Sequence, residues 1–222
     1  MEVTKATECE AKCACSKEKH ATKLVVLTGG PGAGKTAVLE MAKKVLCEHV
    51  AVLPESASIV FGGGFWRLES QSARLASQRA IYHVQRELEN LVLGEECWAV
   101  GLCDRGTLDG LAYWPGKESL FWEMAADHLE GEYSRYAAVI HLRSPPADLG
   151  YNHQNPLRVE SAEQAKSIDD RIAAVWSRHP QYKVVASTSS FLEKARQALK
   201  LVAEALPDCC RAGIRGAAGE KA

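Results

Sequence analysis

The sequence lacks three features that would each have indicated a class of function. It has no run of about 18 or more apolar residues, so no segment is predicted to span a membrane. Lys and Arg number 27 against 28 Asp and Glu, so the basic excess typical of nucleic-acid-binding proteins is missing. Residues 1–23 alternate charged residues with Cys and Ala and contain no apolar signal core. We therefore expect a soluble, cytoplasmic protein that does not take nucleic acid as its main partner.

The composition that is present is that of a folded domain. The chain has 222 residues, of which 46% are hydrophobic and 25% are charged. These values are close to the average for globular proteins and unlike those of disordered or coiled-coil chains. Strand-like and helical patterns fill residues 23–206. We predict one domain over residues 23–206, with flexible tails at residues 1–22 and 207–222.

The eight cysteines do not indicate a disulfide scaffold in a chain of this length. Cys47, Cys97 and Cys103 lie in apolar segments, which favours small core residues with reduced thiols. A second group of soft metal ligands lies near the N-terminus and consists of Cys9, Cys13, Cys15 and His20. Zinc accepts such ligands, but the C-x3-C-x-C spacing is not that of the usual zinc fingers. Both a metal site and a flexible tail with incidental thiols therefore stay open.

Short apolar runs alternate with helical patterns, which is typical of an α/β protein with helices covering a parallel sheet. The predicted strands cover residues 24–27, 50–53, 98–103, 137–142 and 183–186, and the predicted helices cover 35–46, 69–93, 118–129, 161–179 and 190–206. Ser190 and Glu193 form a capping box at the start of the last helix. The predicted buried face of the second helix consists of apolar residues spaced three or four apart, namely Ile81, Val84, Leu88 and Leu91.

A long connection without helical or strand periodicity covers residues 144–160. It contains Pro145, Pro146, Gly150 and Pro156. Connections of this length are uncommon in compact domains and are often functional loops. We predict a lid or binding loop at residues 144–160.

The sequence GGPGAGKT at Gly29–Thr36 matches the phosphate-binding pattern G-x-x-x-x-G-K-[ST], between a predicted strand and a predicted helix. Glycines allow backbone N–H groups to face phosphate oxygens, Lys35 reaches the outer phosphates, and the Thr36 hydroxyl ligates Mg²⁺. The sequence therefore predicts a P-loop. Its predicted nucleotide-binding residues are Gly29, Gly30, Gly32, Ala33, Gly34, Lys35, Thr36 and Ala37.

Two carboxylates follow predicted strands at the edge of the sheet where the P-loop is expected. Asp104 ends the third strand, and Glu55 comes directly after the second. Parallel sheets bind ligands at the carboxyl ends of their strands. Asp104 is predicted to hold Mg²⁺ as a Walker B aspartate, with a turn-capping aspartate as the alternative. Glu55 is predicted to accept the proton of an attacking hydroxyl, with a solvated loop glutamate as the alternative.

Four arginines lie beside Asp104 or around the 144–160 segment, namely Arg105, Arg143, Arg158 and Arg171. A guanidinium can neutralise the charge that develops on a transferred phosphoryl group. Arg105 and Arg158 are the favoured catalytic candidates. The aromatic residues predicted to lie in the same loops are Trp66, Tyr113, Trp114 and Tyr151, which either stack on a ligand ring or pack into the core.

These motifs together resemble a known family. A P-loop after the first strand, a glutamate after the second, Asp-Arg after the third and an arginine-bearing lid resemble the nucleoside and nucleotide kinase-like branch of the P-loop NTPases. The segments LTGGPGAGKT, LPESA, DRGTLDGLAYWP and NPLRVE resemble the small AAA-type ATPase domain family, which is related to the nicotinamide riboside kinase domain of a bacterial NAD regulator. The resemblance covers about residues 23–206.

The resemblance implies a three-layer P-loop NTPase fold, with a five-stranded parallel sheet in order 2-3-1-4-5 and helices on both faces. It also implies ATP or GTP with Mg²⁺ as cofactors, Glu55 as the base and Arg105 as a contact to the phosphoryl acceptor. Nucleoside kinases usually have Glu-Pro where this chain has Pro54-Glu55, so the identity of the acceptor stays open.

Two functions fit this pattern. The first is a Mg²⁺-dependent phosphotransferase that moves the γ-phosphoryl group of ATP to a small nucleoside-like metabolite. The second is a regulatory switch that hydrolyses ATP or GTP slowly and has no small-molecule acceptor. A Ras-like GTPase is not favoured, because the sequence has no Asn-Lys-x-Asp and no Asp-x-x-Gly motif.

Overall fold

The computed structural model describes residues 20–145, 162–188, 190–208 and 210–211. The predictions for Cys9, Cys13, Cys15 and Arg158 therefore fall outside the described residues. The same holds for Tyr151 and for most of the predicted lid.

A five-stranded parallel sheet forms the centre of the molecule. Its strands are β1 (Lys23–Thr28), β2 (Val50–Leu53), β3 (Val100–Asp104), β4 (Tyr136–Leu142) and β5 (Tyr182–Val185). The strand order is β2-β3-β1-β4-β5, and each neighbouring pair is parallel. The predicted fold class and strand order are confirmed.

Eight helices are assigned among the described residues. They are α1 (Lys35–Val45), α2 (Ser56–Gly62), α3 (Gln71–Glu95), α4 (Asp109–Tyr113), α5 (Glu118–Ala125), α6 (Leu129–Ser134), α7 (Ala162–Trp176) and α8 (Phe191–Glu204). The predicted cap of the last helix is present, because the Ser190 hydroxyl accepts a hydrogen bond from the backbone N–H of Glu193 at 3.3 Å.

The sheet is buried on both faces, as a parallel sheet covered by helices requires. Alternate residues of β1 belong to two different core clusters: Val25 packs with α1 and α8 on one face, and Val26 packs with α3 and α7 on the other. Both side chains are fully buried. This arrangement explains why β1 is an uninterrupted apolar run and fixes its carboxyl end, where the P-loop begins.

The structure corrects the predicted buried face of α3. Leu91 was predicted to face the core but is 57% exposed, and the buried residues of α3 are Ser77, Tyr82, Gln85, Glu89 and Val92. The buried stripe contains polar side chains, which hydrogen-bond to one another and to other elements. The predicted stripe is therefore displaced by one residue from the buried one, since Ile81, Val84 and Leu88 are half-buried and Leu91 is exposed.

Two further local predictions are wrong. The helix predicted over residues 118–129 is divided, because Ala126 has a left-handed φ of 51° that ends α5. Helix α2 follows Glu55 directly, where no helix was predicted.

Cys97 corrects the expectation of reduced thiols, because it is disulfide-bonded. Cys47, Cys103 and Cys210 are thiols.

In the part of the chain that the structure describes, no helix combines the length and apolar character needed to cross a membrane.

Candidate active site

The P-loop connects the carboxyl end of β1 to the first turn of α1. Gly29, Gly32 and Gly34 have positive φ angles of 140°, 77° and 92°, which glycine adopts without steric cost. A Cβ at Gly29 would lie 2.2 Å from the carbonyl oxygen of Leu142. The loop therefore needs glycine both for its turns and for its close contact with β4.

Asp169 of α7 holds this loop from the side. Its Oδ1 accepts a hydrogen bond from the backbone N–H of Gly30 at 2.7 Å and lies 2.8 Å from Nε2 of His141. Burial would raise the pKa of Asp169, but the hydrogen bonds from His141 and Gly30 outweigh burial and lower it. An ionised, nearly fully buried carboxylate thus fixes the turn at Gly30.

Lys35 folds back over the loop. Its Nζ donates to the carbonyl oxygens of Gly29 at 2.9 Å and Gly30 at 3.2 Å, and the residue is only 8% exposed. Burial and the nearby Arg105 guanidinium lower its pKa to about 8, against the opposing attraction of Asp104. A bound polyphosphate would favour the charged form of this amine.

Asp104 lies beside Lys35 because β3 pairs with β1, and Asp104 is in register with Leu27. Its Oδ1 is buried and has no hydrogen-bond partner among the described residues. Burial raises the pKa of Asp104, and the positive charges of Lys35 and Arg105 offset part of this effect. Buried carboxylate oxygens are normally paired, so this atom is a candidate cation ligand.

Arg105, which follows Asp104, contacts the residues after β2 and after β1. Its Nε donates to Oε1 of Glu55 at 3.0 Å, and its Nη1 donates to the carbonyl oxygen of Gly29 at 3.2 Å. The guanidinium also lies over the ring of Tyr113, 5.6 Å from the ring centroid. Burial opposes the charge of Arg105, but Tyr113 and the surrounding carboxylates raise its pKa above the usual value.

Glu55 lies between Arg105 and the start of α2. The Ser58 hydroxyl donates to its Oε2 at 2.6 Å. Burial would raise the pKa of Glu55, but Arg105 and Ser58 outweigh it and lower the pKa. Glu55 is therefore ionised at neutral pH and is oriented by both partners.

Asp109, which the motif analysis did not single out, contacts both Arg105 and the last residue of β1. Its carboxylate accepts a hydrogen bond from the Thr28 hydroxyl at 2.8 Å and one from the Trp176 indole N–H at 2.6 Å. The same carboxylate lies 3.5 Å from Nη1 of Arg105. This position was missed because a carboxylate inside an apolar segment gives no sequence signal of its partners.

These residues open into one cleft of about 980 Å³. At one end it is lined by the P-loop and first turn of α1, with Lys35 and the exposed Thr36. At the other it is lined by α2, α3 and α4. Polar residues of these helices that line the cleft include Ser77, Gln78, Gln85, Arg74 and Tyr113. A cleft of this size holds a ligand of drug-like dimensions or larger.

Gln85 is the polar group that sequence reasoning missed at the far end. It is 2% exposed, and its Nε2 donates to Oε1 of Glu89 at 2.8 Å. Its Oε1 has no hydrogen-bond partner among the described residues. With Nε2 directed at Glu89, the oxygen of this cleft-lining side chain is an acceptor that a ligand can use.

The remaining predicted residues are divided between the cleft and other surfaces. Arg171 lines the cleft, whereas Arg143 pairs with Asp169 at 3.2 Å. Trp66 is 78% exposed and Trp114 packs against Phe121, so of the described aromatic candidates only Tyr113 lines the cleft. The structure thus brings Lys35, Thr36, Glu55, Asp104 and Arg105 together.

Comparisons with known proteins agree with this geometry. A family model described as an AAA domain matches residues 24–194. Two solved structures of NadR protein are similar: one in complex with NR (TM-score 0.61, 14% identity) and one in complex with NAD and AMP-PNP (TM-score 0.57, 13% identity).

The two alignments cover 85% and 84% of this chain but only 52% and 50% of the NadR chains. The chain thus spans about half the length of these proteins, and at such low identity the likeness shows the fold. A comparison with curated proteins gives no match. Because the family model covers most of the chain and includes the P-loop, Asp104 and Glu55, this protein belongs to the AAA domain family of P-loop NTPases.

Proposed function

We propose that this protein is a Mg²⁺-dependent phosphotransferase that moves the γ-phosphoryl group of ATP to a hydroxyl of a small nucleoside-like metabolite. The observation that carries the proposal is that the cleft extends from the P-loop to residues of α2, α3 and α4. A switch that only hydrolyses its nucleotide has no need for further buried polar groups in the same cleft. One NadR structure holds NR, which supports a nucleoside-like occupant.

The donor set fits Mg²⁺. This ion prefers oxygen ligands and usually keeps several waters beside one or two carboxylates. The oxygens available are the unpartnered Oδ1 of Asp104 and the exposed hydroxyl of Thr36, both beside Lys35. When bound, the ion would neutralise charge on the β- and γ-phosphate oxygens.

Lys35 and Arg105 supply the positive charges that contact the phosphates in this proposal. Lys35 binds the outer phosphates after leaving its contacts to Gly29 and Gly30. Arg105, held by Glu55 and Asp109, places a permanent positive charge in the cleft beside the P-loop. This charge favours the transition state, in which negative charge lies on the transferred oxygens.

Glu55 accepts the proton of the acceptor hydroxyl in this proposal. Its lowered pKa makes it a weak base, which suits a loose transition state in which the hydroxyl loses its proton late. We therefore expect its contribution at the lower end of the usual 10²- to 10⁴-fold range. Arg158 stays a candidate for a second positive charge.

Gln85 restricts which chemical groups the phosphoryl acceptor must carry. Its buried Oε1 can only accept a hydrogen bond, so the group that it binds must be an N–H or O–H donor. Tyr113 lines the same cleft and offers a ring face. A planar ring with a donor substituent, such as a nucleobase or a pyridine carboxamide, satisfies both residues.

A thermal-shift screen tests the proposal. Nucleosides and related ribosides are added to the protein with Mg²⁺ and a non-hydrolysable ATP analogue, because a ligand that binds the folded state raises its melting temperature. We expect a subset of ribosides to raise it further than the analogue alone. Gln85→Leu should abolish that second shift and keep the first.

Gln197→Leu is the matched control, because Gln197 is exposed on α8 and lies outside the cleft. In Gln197→Leu, the analogue and the riboside should raise the melting temperature by the same amounts as in the wild-type protein. If no riboside gives a second shift, or if Gln85→Leu retains it, the acceptor assignment is wrong. ATP as the preferred nucleotide is part of the same proposal.

A further inference from the structure

A cluster of soft metal ligands lies away from the cleft. Nitrogen atoms of His20 and His49 and the sulfur of Cys210 lie within 4.8 Å of one another. His49 is 4% exposed and Cys210 is fully buried. The rings of His20 and His49 meet edge to face, with centroids 5.5 Å apart.

The three residues come from distant parts of the chain. His20 precedes β1, His49 directly precedes β2, and Cys210 follows α8. Since β1 and β2 are parallel members of one sheet, their amino ends lie at the edge opposite the P-loop. The cluster is therefore separate from the nucleotide site, and it joins both ends of the domain to the sheet.

The spacing of the donor atoms suits a tetrahedral ion. With Zn–N of about 2.0–2.1 Å and Zn–S of about 2.3 Å, adjacent ligand atoms lie about 3.3–3.6 Å apart. Nδ1 of His49 and Sγ of Cys210 are 3.4 Å apart. The widest separation in the cluster exceeds a tetrahedral edge by at most about 1.5 Å, which rotation of the less buried His20 side chain can close.

We infer that His20, His49 and Cys210 form a zinc site that fastens the segment before β1 and the segment after α8 to the edge of the sheet. Imidazole and thiolate are the ligands that Zn²⁺ prefers, and three of them leave one coordination position. The ion stabilises the fold and takes no part in phosphoryl transfer, so this inference is independent of the proposed function.

The first test is metal binding by the full-length wild-type protein. The protein is stripped of metal, loaded with Zn²⁺ without reductant so that the Cys97 disulfide is kept, and dialysed before its zinc content is measured. We expect stoichiometric zinc and a higher melting temperature. Replacing Zn²⁺ with Co²⁺ should give the ligand-field bands of a tetrahedral ion with a thiolate charge-transfer band. A protein that retains no zinc overturns the inference.

Variants test which residues hold the ion. Cys210→Ser and His49→Gln should each weaken zinc binding by at least about 100-fold, since loss of a partner that merely orients a ligand already costs about 10- to 100-fold. Cys210→His, which restores a ligand, should recover part of the affinity and shows that a loss in Cys210→Ser is not a folding defect. Cys103→Ala is the control, because Cys103 is a buried thiol in β3 away from the cluster.

Variants of the N-terminal cysteines test whether those residues hold the ion instead. If zinc is lost in a Cys9→Ser, Cys13→Ser and Cys15→Ser triple variant but is bound normally by both Cys210→Ser and His49→Gln, the ion belongs to the N-terminal cysteines and the inferred site is wrong.

Discussion

At the scale of single residues, Lys35 links the electrostatics of the P-loop to a pH dependence. Its pKa in the ligand-free protein is about 8 because the amine is buried near Arg105. Polyphosphate favours the charged amine, so its pKa in the complex is higher. ATP affinity should therefore be constant below about pH 8 and fall by up to about tenfold per pH unit above it.

Titration of a fluorescent ATP analogue at several pH values between about 7 and 10 measures this fall. Lys35→Ala should bind the analogue about 10- to 100-fold more weakly at pH 7, equivalent to about 1.5–3 kcal/mol for a hydrogen bond to a charged group. Lys35→Arg keeps its charge over the whole range, so whatever affinity it has should not fall above pH 8. A wild-type affinity that does not change up to about pH 10 would show that Lys35 does not bind the phosphates.

Asp104 supports a prediction in which stability and activity change in opposite directions. Burial raises its pKa, so the ionised form is disfavoured in the folded protein, and this cost is present above the folded pKa and disappears as the pH falls. Asp104→Asn removes the charge. The ligand-free variant should unfold at a temperature equal to or above that of the wild type at pH 7.

The same variant should lose most of its Mg²⁺-dependent turnover, with partial recovery in Mn²⁺. Calorimetry and turnover at several metal concentrations measure the two effects. If the variant is destabilised but fully active at low Mg²⁺, Asp104 caps the turn after β3 and does not bind Mg²⁺.

At the scale of elements, α3 is held by a buried polar network in addition to its apolar core residues Tyr82 and Val92. Glu89 is fully buried and is contacted by the Arg135 guanidinium, the Tyr136 hydroxyl and the Gln85 amide. Glu132, also fully buried, accepts hydrogen bonds from Tyr82 and from Thr107, which follows Arg105 in the chain. The network therefore connects the acceptor end of the cleft to the loop after β3.

Arg135→Met tests the network. It leaves the Glu89 carboxylate buried without its cation, and removal of one partner of a buried ion pair typically costs about 3–5 kcal/mol. Lys183→Met is the matched control, because Lys183 pairs with Glu204 on the surface, where such pairs contribute at most about 1 kcal/mol. Urea unfolding compares the two. Equal, small losses of stability would show that the network does not hold α3.

The sheet elements were predictable from the sequence, and the buried face of α3 was not. A buried parallel strand such as β1 is apolar on both faces, so its position can be read from composition alone. The buried side of α3 instead depends on hydrogen bonds that Tyr82 and Glu89 make with residues from distant segments. A single sequence gives no signal for such partners, and exposed Leu91 supplied a misleading one.

At the scale of the whole molecule, the strand order places the site. Because β3 lies between β2 and β1, Glu55, Asp104 and the P-loop meet at one carboxyl edge. The P-loop was predictable because its glycine, lysine and threonine positions follow from local chemistry. The acceptor pocket was not, because α2, α3 and α4 bring its residues together only in the folded chain.

The most direct test of the proposed function is the fate of the γ-phosphoryl group. The protein is incubated with γ-labelled ATP, Mg²⁺ and the riboside that gives the largest thermal shift, and the label is divided between phosphorylated riboside and inorganic phosphate. We predict that most label enters the riboside. Glu55→Gln should slow this transfer by about 10²-fold while ATP affinity changes by less than about threefold, as expected for a base used in the transition state. Label released only as inorganic phosphate, at a rate that no riboside increases, would contradict the phosphotransferase assignment.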